Sequence, residues 1–436
     1  MTNKSSLPPE TEKAAGRNPA SPGRRSMLLG LGAAGGGALL AALPSKAQAQ
    51  GQADEPGAVT SLQDRQPYLG IYQAGVTTPR QPMGLVVAFD VLATKRTDLE
   101  RLFRTLTERI AFLTQGGTPP VIDPKFPPPD SGLMGPVVAP DNLSITVGVG
   151  ASLFDQRFGL AGKKPSQLVR MPQFSNDALK EDLCHGDLMV QICSNTTDTN
   201  IHALRDIVKN TPDLLMVRWR QEGFVPPPRA AGEKQSSPRN LLGFKDGTAN
   251  PDHNNDVEMK RLVWVQPDSS EPAWAINGTY GVVRIIRNFV ERWDRTPLQE
   301  QESIIGRHKP TGAPLTGKAE LDLPVYSDDP EGKRTPLDAH IRLANPRTPE
   351  SLKNLILRRP FNYSNGVTKS GQLDMGLLFI CFQSDLEAGF AHVQSRLNGE
   401  PLEEYIKPVG GGYFFILPGI ADKSAFLGQS LLEATA

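Results

Sequence analysis

The order of strand-like and helix-like segments constrains the fold of this chain more than any other feature of the sequence. In the first half, strand-like segments are separated by two segments whose apolar residues recur at helical spacing. The helix predicted at 97–114 opens with a Thr-x-x-Glu pattern, Thr97 to Glu100, which is typical of a capping box. In chain order the predicted elements are strand 84–91, helix 97–114, strands 142–150 and 187–193, helix 200–209 and strand 214–220. This β-α-β-β-α-β order is that of a ferredoxin-like fold.

The second half of the chain repeats the theme. Its predicted elements are a β-rich segment 274–286, helix 288–305, strand 376–383, helix 386–397 and strand 413–417. No residue-level identity links the two halves, so the duplication is a prediction about architecture alone. The pattern therefore predicts an α+β fold with two ferredoxin-like (βαββαβ) halves, one at 67–225 and one at 226–436.

The charge balance argues against a polyanionic partner. The 436 residues include 47 basic and 47 acidic side chains. No useful run of Lys or Arg follows the N-terminus, so we expect no binding of nucleic acid. The 39 prolines and 41 glycines imply long structured loops, which are predicted at 115–140, 225–238 and 307–337. Loops of this length often carry function, and we interpret the third as a wall of a ligand pocket.

The N-terminus has the pattern of an export signal. A basic segment ending in the pair Arg24-Arg25 precedes a glycine-rich apolar run at 27–43, and Ala47-Gln-Ala49 matches a cleavage site. The apolar run has 17 residues, fewer than the ~20 needed to cross a bilayer, so a membrane anchor is the weaker alternative. We predict a twin-arginine signal peptide at 1–49 and a polar arm at 50–66. The twin-arginine export machinery would deliver the protein to the periplasm, without a stable membrane anchor.

Two regions of the chain carry side chains suited to cofactor chemistry. The segment 243–252 places the carboxylate of Asp246 between Gly243 and Gly247, and glycines let a loop approach a bulky ligand closely. Taken alone, this pattern also fits an ordinary Asp-Gly turn. About a hundred residues later, two neighbouring motifs supply His340 and Arg358. An Asp, a His and an Arg together are the set that a haem peroxidase needs.

At these motifs the chain resembles the dye-decolorizing (DyP-type) haem peroxidases. Within that family it is most similar to the twin-arginine-exported branch called deferrochelatase/peroxidase, which is associated with bacterial iron uptake. The resemblance runs from about Tyr68 to the C-terminus and is carried by the stretches 72–79, 243–251, 340–347, 371–379 and 410–415. It implies that both halves pack into one domain of the dimeric α+β-barrel type. The half at 226–436 would hold haem b, one per chain.

The resemblance also implies how the haem would be held. His340 aligns with the ligand of the iron, and His253 and His308 are the alternative candidates. Arg342 is a candidate partner of a haem propionate. The acceptor on the second imidazole nitrogen is assigned to Asp385, although an Asp at this position fits a helix N-terminus equally well. The chain has no Cys-x-x-Cys-His pattern, which argues against covalent attachment.

On the other side of the haem, the resemblance assigns catalysis to Asp246 and Arg358. Asp246 would move a proton between the two oxygens of the peroxide. The fixed positive charge of Arg358 would stabilise the departing oxygen. Gly243 and Gly247 would let the loop reach the porphyrin face.

The implied function is a peroxidase that reduces hydrogen peroxide and oxidises an organic reductant. A second implied activity releases iron from haem and leaves the tetrapyrrole intact, so that haem or porphyrin is itself a substrate. The alternative is a non-catalytic periplasmic protein that binds or delivers haem, which would need His340 but neither Asp246 nor Arg358. Chlorite dismutase-like chemistry is a second alternative, which the proposed Asp disfavours. The sequence leaves a homodimer open.

Overall fold

A computed structural model of the chain describes residues 61–226, 237–245 and 249–434. The predicted signal peptide, most of the predicted arm, Asp246 and Gly247 lie outside these residues. The described residues all belong to one compact unit. Within the described ranges, no helix is both long enough and apolar enough to cross a membrane.

The strands form one antiparallel sheet that closes on itself. They are β1 (Met83–Val91), β2 (Ser144–Gly150), β3 (Leu188–Ser194), β4 (Leu215–Phe224), β5 (Thr279–Asn288), β6 (Leu357–Arg358), β7 (Phe361–Val367), β8 (Leu373–Gln383) and β9 (Ile406–Ile416). Their order is β5-β9-β2-β3-β1-β4-β7-β8-β6, and a further pairing of β5 with β8 closes the sheet into a barrel-like shape. The sheet order of the first four strands is β4-β1-β3-β2, and that of the later strands is β9-β5-β8-β7.

Along the chain, most of the helices connect one strand to the next. They are α1 (Arg96–Gln115), α2 (Thr197–Asn210), α3 (Asp256–Leu262), α4 (Val290–Trp293), α5 (Leu298–Ile305), α6 (His340–Ala344), α7 (His392–Leu397) and α8 (Gln429–Glu433). The predicted capping box of α1 is wrong. The helix begins earlier, after Lys95, without a side-chain cap. Glu100 pairs with Arg104 one turn along the helix, so Thr97 is inside the first turn rather than at the cap.

Two hydrophobic clusters lie on opposite faces of the barrel-like sheet. Alternate residues of β1 divide between them, because successive side chains of a strand point to opposite faces. Val86 and Ala88 belong to a cluster that takes residues from both halves of the sheet, including Phe382 and Phe414. Phe89 packs on the other side with the apolar face of α1. The strands of both halves therefore share one core inside the sheet.

The second half departs from the sequence prediction at two prolines. The predicted helix 288–305 is two helices, α4 and α5, and Pro297 stands immediately before α5 in an extended conformation. A proline in a helix interior would remove a hydrogen bond and clash with the preceding turn. The last strand, β9, begins well before the predicted 413–417 and includes Pro408. Its three glycines, Gly410 to Gly412, fit because a Cβ at Gly411 would lie 2.0 Å from the carbonyl oxygen of Val283 on β5.

Candidate active site and cofactor cleft

A deep cleft lies on the outer face of β5, β8 and β9, where α5, α6 and α7 cover the sheet. It contains about 1690 Å³ of space between protein atoms, part of which opens to solvent. Its walls are mainly apolar and include Phe244, Ile286, Ile341, Phe379 and Phe390. Cofactor sites are typically concave, apolar and supplied with a few placed polar groups. The cleft therefore suits a large apolar ligand with a small number of polar contacts.

His340 is the first residue of α6 and lines this cleft. Its Nδ1 lies 2.7 Å from Oε2 of Glu400, whose side chain is only 4% exposed. A carboxylate on one ring nitrogen fixes the orientation of an imidazole and raises its basicity as a metal ligand. With Nδ1 bonded to Glu400, coordination of a metal falls to Nε2.

The predicted acceptor, Asp385, is therefore corrected to Glu400. One oxygen of Asp385 accepts a hydrogen bond of 2.8 Å from the backbone N–H of Ala388. This is the helix N-terminal role that the sequence left open. Glu400 lies 60 residues beyond His340 in the chain, and no local pattern marks it as the partner.

Replacing Glu400 with glutamine is expected to weaken haem binding by about 10- to 100-fold, since a neutral amide no longer polarises the imidazole. Titration of the apo-protein with haem, followed by absorbance, measures this change. Asp385→Asn is the matched control and should bind haem like the parent. Equal affinities of the parent and the Glu400 variant would contradict the assignment.

The alternative histidines lie elsewhere. His308 bonds through Nδ1 to Glu302 at 3.0 Å, and its side chain is 43% exposed. Neither His308 nor His253 is among the described residues that line the cleft. The geometry favours His340 over both.

Arg358 lies on β6 and lines the same cleft as His340. The side-chain amide of Asn250 holds its backbone through two hydrogen bonds. Asn250 Nδ2 donates to the Arg358 carbonyl oxygen at 3.0 Å, and the Arg358 N–H donates to Asn250 Oδ1 at 2.7 Å. Asn250 stands four residues after Asp246. The end of the loop that contains Asp246 is thus fixed to the strand of Arg358, a role that sequence reasoning missed.

Arg347 is a second arginine on the wall of the cleft that the sequence analysis did not select. Its backbone is left-handed, with φ of 58°, and its buried Nε has no hydrogen-bond partner among the described residues. Burial lowers the pKa of its guanidinium, and the nearby charge of Arg358 lowers it further. A half-buried cation with a strained backbone and an unsatisfied donor is suited to binding an anionic group.

Arg342 does not line the cleft, and the prediction that it binds a propionate is wrong. Its guanidinium donates to the backbone oxygens of Thr335 at 2.8 Å and Asp329 at 2.9 Å. Successive residues of an α-helix are about 100° apart. Arg342, two positions after His340, therefore points to the opposite side of α6.

Gly243 lies beside the cleft rather than in its wall. Its backbone φ is 86°, and its N–H donates to the carbonyl oxygen of Asn240 at 2.9 Å in a tight turn. A Cβ at this position would lie 2.6 Å from the side chain of Lys309. The left-handed turn therefore favours glycine here, whereas the contact with the flexible end of Lys309 is a weaker constraint. Its neighbours Leu242 and Phe244 line the cleft instead.

These residues fit a haem group. The apolar walls suit a porphyrin, the His340–Glu400 pair suits the iron, and the unsatisfied donor of Arg347 suits a propionate carboxylate. When bound, haem supplies the iron at which peroxide is reduced.

The comparison with family models decides the classification. The model described as "Dyp-type peroxidase, N-terminal" matches residues 73–225, and "Dyp-type peroxidase, C-terminal" matches 237–421. The chain belongs to the DyP-type peroxidase family. The family resemblance inferred from the sequence is thereby confirmed, and with it a haem-dependent peroxidase.

Relatives and solved structures agree with this classification. A protein named deferrochelatase from Yersinia pestis is 58% identical over 415 residues, which cover 95% of this chain and 96% of that protein. The deferrochelatase of Escherichia coli O157:H7 is also 58% identical, with 94% and 97% covered. The DyP-type peroxidase from Cellulomonas bogoriensis has a TM-score of 0.76 and 36% identity, covering 85% of this chain and 99% of that one. Ferric DtpA from Streptomyces lividans has a TM-score of 0.77 and 34% identity, covering 86% of this chain and 100% of that one.

Proposed function

We propose that the cleft binds haem b without a covalent bond, through His340, and that the chain uses it to reduce hydrogen peroxide and oxidise an organic reductant. The observation that carries the proposal is the His340–Glu400 pair, which lies in the same cleft as Arg358. A basic imidazole on the wall of an apolar cleft is suited to haem iron. An arginine in the same cleft is suited to stabilising charge on a reacting oxygen.

The roles proposed for Asp246 and Arg358 follow from the chemistry of peroxide cleavage. Cleavage of its O–O bond needs a proton moved from one oxygen to the other. A carboxylate positioned for such a transfer typically increases the rate of reaction by about 10²–10⁴-fold. We assign this transfer to Asp246 by its place in the glycine motif, and charge stabilisation to Arg358. The organic reductant supplies two electrons, two protons come from the reductant or from solvent, and hydrogen peroxide is reduced to two molecules of water.

A second proposed activity is release of iron from haem. It is supported by the name deferrochelatase of the relatives that share 58% of their residues with this chain. In this reaction the iron leaves, and two protons take its place on the ring nitrogens. Mass spectrometry of the tetrapyrrole after incubation with haem under reducing conditions tests it. Metal-free protoporphyrin supports the activity, and recovery of intact haem alone rejects it.

Arg358→Leu separates an enzyme from a protein that only binds or delivers haem. We expect the variant to bind haem like the parent and to reduce peroxide about 10²-fold more slowly, as on removal of one donor that stabilises charge. Haem titration and stopped-flow absorbance measure the two quantities. Loss of haem affinity in parallel with peroxide reactivity would leave the catalytic role of Arg358 unsupported.

The domain organisation and the export route are part of the proposal. The sheet orders β4-β1-β3-β2 and β9-β5-β8-β7 correspond strand for strand, which supports two ferredoxin-like halves at 67–225 and 226–436. The basic and apolar pattern at 1–49 supports twin-arginine export to the periplasm with cleavage after Ala49. N-terminal sequencing of periplasmic protein tests the cleavage site, and a mature chain that does not begin at Gln50 would contradict it.

A further inference from the structure

One residue that lines the cleft, Asn176, comes from the first half of the chain. The segment 174–180, here called the strap, crosses the open edge of β9. The backbone N–H groups of Ala178 and Lys180 donate to the carbonyl oxygens of Pro408 and Val409, each at 2.9 Å. β2 pairs with β9 only at its far end, from Phe414 to Ile416. The strap therefore covers the edge of β9 at Pro408 and Val409, and the N–H of His185 bonds to the carbonyl oxygen of Gly411 beyond it.

The strap reaches the cleft through two side chains. Asn176 lines the cleft, and its Nδ2 donates to the carbonyl oxygen of Ile406 at 3.0 Å. Phe174 meets Phe390, another wall residue, edge to face at 6.1 Å. A ligand in the cleft would thus be enclosed partly by the first half of the chain.

A buried ion pair fixes the strap to the second half. The guanidinium of Arg284 on β5 donates through Nη1 to Oδ2 of Asp177 at 3.0 Å, and Nη2 donates to the other oxygen. Both side chains are 1% exposed, and Arg284 itself lines the cleft. Breaking a buried pair by removing one partner leaves an uncompensated charge and is strongly destabilising. The pair therefore holds the strap in one position.

We propose that Asp177 is a positioning residue for the tetrapyrrole. It acts through Arg284 to keep the strap against the cleft, and so sets how slowly the bound tetrapyrrole dissociates. This inference rests on the proposed haem site, and it assigns part of that site to the N-terminal half of the chain.

The test is the rate of haem loss from the holo-protein to an excess of apomyoglobin, followed by absorbance. Asp177→Asn is expected to release haem at least about tenfold faster, because Arg284 loses its counter-charge. Asn176→Ala removes its bonds to the Ile406 carbonyl oxygen and to Nζ of Lys407, and is expected to release haem about fivefold faster. Glu404→Gln is the control. This variant breaks an ion pair on the surface, in which the side chains of Arg292 and Glu404 are 58% and 60% exposed. It should release haem at the rate of the parent.

Two further measurements separate positioning from general stability. Hydrogen exchange at the amides of Ala178 and Lys180 should be faster in Asp177→Asn, while Asn176→Ala should leave the apo-protein folded at the temperature of the assay. If Asp177→Asn does not fold, Asn176→Ala decides the question. Release at the parent rate by the folded variants would overturn the inference and leave the haem site intact. A parent protein that takes up no haem would instead overturn the proposed function, and this inference with it.

Discussion

Asp246→Asn should bind haem as tightly as the parent and reduce peroxide about 10²–10⁴-fold more slowly. Asparagine has nearly the same size and shape as aspartate, but an amide does not accept and return a proton at neutral pH. Asn250, at the end of the same loop, holds the backbone of Arg358 through two hydrogen bonds. Asn250, four residues after Asp246, is therefore held beside Arg358.

Stopped-flow absorbance with hydrogen peroxide measures the effect on the rate. Asp252→Asn is the matched control, because this carboxylate is in the same loop and accepts a hydrogen bond from the backbone N–H of Asn254. It should leave the rate unchanged. Equal rates in the parent and in Asp246→Asn would transfer the acid–base role to Arg358 or to water.

His340→Ala should lose the axial ligand of the haem. The expected fall in affinity exceeds about 100-fold, since loss of a hydrogen-bond partner behind such a ligand already costs about 10- to 100-fold. The chain has no Cys-x-x-Cys-His pattern, so no covalent bond would retain the haem in its place. His308→Ala is the control, because His308 pairs with Glu302 and does not line the cleft.

Much of the fold could be predicted because periodicity is a local property of the chain. The helical spacing of apolar residues predicts a helix at 97–114, and the buried residues of α1 from Leu99 to Leu113 lie on one face, since burial of one helical face repeats every three to four residues. The start of β9 was missed because Pro408 and the following glycines are typical of turns. They belong to a strand only because β5 and the strap lie close to it. Such closeness is a tertiary contact, which no local pattern records.

The residues of the site also divide into those in local sequence motifs and those placed by contacts between distant parts of the chain. Gly243, His340 and Arg358 stand in motifs that can be recognised in the sequence, although Gly243 lies in a tight turn beside the cleft. Glu400 was missed because its contact with His340 spans 60 residues. The error over Arg342 was avoidable, because its place two positions after His340 on a helix already directs it away from the cleft.

Resonance Raman spectroscopy of the reduced, haem-loaded protein tests the central claim most directly, because it observes the bond between iron and imidazole. The account predicts an iron–imidazole band in the parent. Its frequency should fall in Glu400→Gln, where the imidazole loses its carboxylate partner, and the band should be absent in His340→Ala. An unchanged band in His340→Ala would show that another residue ligates the iron and would contradict the account.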